Sequence, residues 1–85
     1  TPLWVAAERG HEAVVRLLLE RGADINFKNC REMTPISVAA GRGHEAVVKL
    51  LLEGGADIDS KDYVKQTPLW VAAEREHEAI VRLLL

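Results

Sequence analysis

The chain has 85 residues, 48% of them apolar, with eleven basic and thirteen acidic side chains for a formal charge of −2. That size allows at most one small domain, and in this range a single core is only marginally sufficient. A balanced charge with no Lys/Arg run excludes the footprint of a nucleic-acid binder, and apolar runs such as Leu17 to Leu19 fall far short of the roughly 18 residues that cross a bilayer.

The one cysteine, Cys30, cannot form an internal disulfide, so a reducing, intracellular and cytoplasmic setting is expected. With no staple available, stability has to come from repetition. Thr1 to Leu19, TPLWVAAERGHEAVVRLLL, returns from Thr34 and again from Thr67, a period of 33 residues. The first and third copies differ only at Gly10 against Glu76 and Val14 against Ile80, 17 identities in 19 positions. A fixed period of this length marks a solenoid, in which each unit buries its apolar face against its neighbours.

Within a unit, Thr1-Pro2 reads as a helix start. The threonine oxygen can cap free amides, and proline at the first helical position gives up only an N–H without a partner. Leu3, Ala6 and Ala7 form an apolar stripe at helical spacing, and the alanines are small enough for another helix to approach. Gly10 ends this first helix after about two turns. A second helix then runs from His11-Glu12 to about Glu20, closed by Gly22. Its outer face carries Glu12, Arg16 and Glu20, matched by Glu45, Lys49 and Glu53, a solvated and mutually paired surface. Phe27 to Met33 is polar and irregular and fits two extended arms and a turn. The expected architecture is all-α: an α-solenoid of helix-turn-helix units with β-turn loops, one domain over 1–85 with units 1–33, 34–66 and a partial third, 67–85.

The motifs of catalysis are missing. His11, His44 and His77 stand one period apart, too far for a shared metal ion, and read as structural residues at helix starts. Val15 occupies the place of the second ligand in a zinc-protease helix. Gly41-Arg42-Gly43 and Gly54-Gly55 lack the context of a phosphate loop. Cys30 has no histidine near it in sequence, and nothing assembles a nucleophile, a base and an oxyanion site. No enzyme activity, metal or cofactor is expected.

Thr-Pro-Leu, the paired alanines, Gly-His, the Val/Leu-rich second helix and Gly-Ala-Asp resemble the ankyrin repeat along the whole chain. The wording Gly-His-Glu-Ala-Val-Val with Leu-Leu-Leu-Glu is similar to the near-identical arrays of fungal NACHT-type receptors. The chain departs from the family pattern where Trp4, Ser37 and Trp70 replace its usual histidine. The resemblance therefore implies that the histidine's hydrogen bonds to the turn cannot form, so that tryptophan must pack or bind instead. Glu32 and Lys65 stand at the family's turn glycine, and Glu76 at the inter-helix glycine. If held left-handed, each costs roughly 1 kcal/mol relative to glycine.

In ankyrin proteins the loop tips and the exposed face of the first helix form the concave binding surface, and the copies vary mainly there. The resemblance thus implies a partner-binding set of Trp4, Glu8, Arg9, Ser37, Arg42, Trp70, Glu74 and Arg75 on the first helices. On the loops it implies Lys28, Cys30, Arg31, Met33, Lys61, Tyr63, Val64 and Gln66. Exposed aromatic and arginine side chains are the usual anchors of interfaces. The expected function is a non-enzymatic module for protein–protein interaction, with no nucleic-acid or membrane partner. The alternative is a structural spacer or a regulatory segment of a larger signalling protein or enzyme. Both ends are expected to be sticky, with Leu3, Ala6, Val14 and Leu17 uncovered at one and Leu69, Ala72, Ile80 and Leu83 at the other. Head-to-tail self-association that continues the solenoid would follow.

Overall fold

A computed structural model describes residues 1–85 as six helices and no strands: α1 (Pro2–Arg9), α2 (Glu12–Glu20), α3 (Pro35–Arg42), α4 (Glu45–Glu53), α5 (Pro68–Glu74) and α6 (Glu78–Leu84). Each unit is a helical hairpin. The first helices α1, α3 and α5 lie side by side in one row and the second helices α2, α4 and α6 in another.

The local signals act as the sequence implies. Thr1, Thr34 and Thr67 each accept the N–H three residues on, at 3.2–3.3 Å, and each precedes a proline in the first turn. Gly22 ends α2 with φ 84°, and Ala23 N–H then donates to Leu18 O at 3.0 Å, satisfying a carbonyl that the helix leaves free.

The core runs between the two rows through Leu3, Ala7, Val15, Ile36, Val48 and Leu51 to Ala72 and Ile80. Alanines at the crossing points let α1, α3 and α5 pack closely, and α3, flanked on both sides, is buried from Pro35 to Gly41. Ile25 of the first unit reaches into the second: a Cβ on Gly54 would lie 2.9 Å from its Cδ1.

Two expectations need correction here. Leu3, Ala6, Ala72 and Ile80 are buried, Leu3 to 1% exposure, because the neighbouring first helix and the partner helix of each hairpin already cover them. Leu69 and Leu83 are half-buried, whereas Val14 and Leu17 are exposed as expected, and Val5 and Leu85 with them. On the second helices, Arg16–Glu12, Lys49–Glu45 and Arg82–Glu78 pair at 3.7, 3.8 and 2.8 Å, whereas Glu20 and Glu53 join no pair. Such exposed pairs contribute about 0.3–0.5 kcal/mol each.

Candidate functional site

The loops between units are ordered by side-chain carboxamide and carboxylate oxygens rather than by sheet. Asn29 Oδ1 accepts the N–H groups of Arg31 and Met33 at 2.9 and 3.0 Å, and Asp62 Oδ1 accepts those of Val64 and Gln66 at 3.0 and 2.9 Å. Between them the chain turns through a left-handed residue, Glu32 at φ 60° and Lys65 at φ 68°. The turn geometry of the family is thus kept without its glycine. Successive loops are tied together: Tyr63 N–H donates to Arg31 O at 3.0 Å, and Asp57 N–H to Asn26 Oδ1 at 2.9 Å.

Trp4 is fixed by this loop. Its indole Nε1–H donates to Met33 O at 2.9 Å, so the hydrogen bond to the turn that the sequence was expected to lack is made by tryptophan. What the indole leaves for solvent is its apolar face. Trp70, the same position in the third unit, makes no such bond and is 47% exposed.

Between the first helices and the loop tips lies an open groove of about 360 Å³. Trp4 and Glu8 of α1, Asn29, Arg31 and Met33 of the loop, Val38 and Arg42 of α3, and Arg75 after α5 form its walls. The groove therefore draws on all three units. Arg42 Nη2 donates to Glu8 Oε2 at 3.1 Å across the unit boundary. Arg75 stands one period further on, and the residue corresponding to Glu8 is Gly41, so Arg75 has no carboxylate from the preceding unit. A Cβ at 41 would lie 2.7 Å from Val71 Cγ1, so a side chain there would require Val71 to shift. Arg31 makes no ion pair either.

The remaining residues of the expected set are distributed around this groove. Arg9 lies on an adjoining polar depression with His11 and His44. Tyr63, 61% exposed, stands at the tip of the second loop beside Arg31, and Val64, Lys28, Cys30, Lys61, Glu74 and Trp70 are exposed outside the groove; Gln66 is half-buried. Ser37 does not belong to the set. It is 2% exposed and sits in a buried hydroxyl cluster, its Oγ 3.2 Å from Thr34 Oγ1, which lies 3.3 Å from Ser60 Oγ. Variation between copies picked it out, but in the second unit this position faces the interior, although its counterpart Trp70 is exposed. Asn29 and Val38, which line the groove, were not in the set. Asn29 could have been found as a polar residue three positions before a left-handed turn residue; Val38 had no signal.

No group of three or more His, Cys, Asp or Glu side chains is placed to hold a metal ion, and no helix is long and apolar enough to cross a membrane. The histidines link units: His44 Nε2 lies 2.9 Å from Glu8 O, and His77 Nε2 3.1 Å from Gly41 O. A family model described as ankyrin repeats, in three copies, matches residues 3–85.

Proposed function

The chain belongs to the ankyrin-repeat family, and from that premise we propose that it is a non-enzymatic binding module that receives a segment of another protein along the groove and loop tips. The family's general role is protein–protein interaction. The observation that carries the reading here is a division of labour among side chains. The arginine that ends the first helix recurs in every unit as Arg9, Arg42 and Arg75, yet Arg42 alone of the three pairs with a carboxylate, which leaves Arg75, with Arg31, lining the groove beside Trp4 without an ion pair. Interface anchors are drawn mainly from tryptophan, tyrosine and arginine, and Tyr63 adds the third of these at the groove's edge.

The test is binding of partner proteins captured with the wild-type chain to variants carrying Arg31→Ala or Tyr63→Ala, with the helical circular-dichroism signal unchanged. Loss of binding in both supports the reading. A structural spacer predicts that neither variant loses anything.

A further inference from the structure

We infer that the groove recognises an aspartate or glutamate side chain on the bound segment, which takes the place of the carboxylate that Gly41 lacks and bridges toward Arg75. This rests on the groove being the binding surface. The argument is by internal comparison. At the first unit boundary the chain builds its own pair, with Glu8 Oε2 accepting from Arg42 Nη2 at 3.1 Å. At the second boundary the arginine is kept as Arg75 but Gly41 replaces the glutamate, and Val71 Cγ1 packs into the space that a Cβ at 41 would take.

The surroundings give the vacancy a sign. Three guanidiniums, Arg31, Arg42 and Arg75, line the groove against one carboxylate, Glu8, which already pairs with Arg42. Asn29 Oδ1 is engaged by two backbone amides and does not compete. The planar guanidinium fork matches a carboxylate in two parallel hydrogen bonds. Trp4, its N–H already donated to Met33, offers an apolar wall for the methylenes of the incoming residue. A carboxylate is favoured over a phosphate because the template at the first boundary is itself a carboxylate, held by a single arginine.

Displayed random peptides selected against the 85-residue chain, followed by fluorescence anisotropy of the selected sequences, test this. The expected result is enrichment of Asp/Glu, with affinity falling about tenfold or more when the key acid is replaced by its amide. Arg75→Gln should lose a similar factor, and the two changes together no more than either alone. Lys49→Gln, on a second helix, should change nothing. If selected peptides lose affinity with Tyr63→Ala but are indifferent to Arg75→Gln and to the amide, the carboxylate is overturned and the groove stands. A phosphoserine peptide binding more than tenfold tighter than its glutamate counterpart also overturns it. If no selected peptide responds to any groove or loop variant, the binding reading fails and this inference with it.

Discussion

The imidazole of His44 reaches back to the unit before it and places Nε2 2.9 Å from the carbonyl oxygen of Glu8. A carbonyl only accepts, so this nitrogen carries the proton and donates it. The ring also lies over Gly10: a Cβ there would approach His44 Nδ1 to 2.7 Å, and the same holds for Gly43 against His77 Cε1 at 2.9 Å. With φ at 72° and 80°, these two glycines serve both as left-handed helix stops and as the floor on which the next histidine rests.

His44→Ala should therefore destabilise the fold by about 1–3 kcal/mol, because it leaves a half-buried carbonyl without its donor. His11, exposed and with no hydrogen bond from its ring, is the control, and His11→Ala should lie within about 0.5 kcal/mol of wild type. Equal losses in urea unfolding would show that the histidines act inside their own hairpins.

Glu32→Gly, Lys65→Gly and Glu76→Gly should each stabilise by about 1 kcal/mol, since all three residues hold φ between 59° and 68° and glycine relieves that conformation. The gain is partly offset by the greater freedom of glycine in the unfolded chain. Urea midpoints that fall or stay unchanged would mean that the side chains contribute more than the backbone strain.

Trp4→Phe should cost about 1 kcal/mol, the net worth of the indole donor to Met33 O. The same change at Trp70 should leave thermal stability almost untouched, because its indole makes no hydrogen bond. A matched loss at both positions would assign the effect to ring packing.

Head-to-tail stacking of two copies is opposed by Glu76. In that arrangement His11 of one copy would rest where His44 and His77 rest on the units before them, and the residue beneath it would be Glu76 in place of Gly10 or Gly43. Its Cβ would meet the ring at the distance that glycine avoids. Sedimentation over the micromolar range should show no stacked oligomers for the wild-type chain and association for Glu76→Gly. Oligomers of the wild type that Val14→Lys or Leu17→Lys dissolves would show that the apolar end outweighs the clash.

The helices were legible in the sequence because Thr-Pro and Gly act locally. Thr1, Thr34 and Thr67 cap within three residues, and Gly22 stops its own helix, so each signal carries its effect with it. The strained turns were legible for the same reason, once Glu32 and Lys65 were seen in the place of glycine. The groove was legible only in part. Trp4 depends on a carbonyl 29 residues away, and the freedom of Arg75 depends on which residue of the preceding unit faces it, a register that exists only after stacking. Ser37 shows the converse failure: a position that changes between copies reads as surface, yet it is buried and hydrogen-bonded to Thr34.

The reach of His44 has a kinetic side. Hydrogen bonds that join one unit to the next span between 31 and 36 residues, and none in the chain spans more. Each docking step therefore closes a loop of nearly the same modest length, and its entropic penalty does not grow as units are added. Formation can therefore begin at either boundary and spread by zippering. Under tension the same arithmetic gives sequential rupture, a sawtooth of one-unit steps instead of a single break.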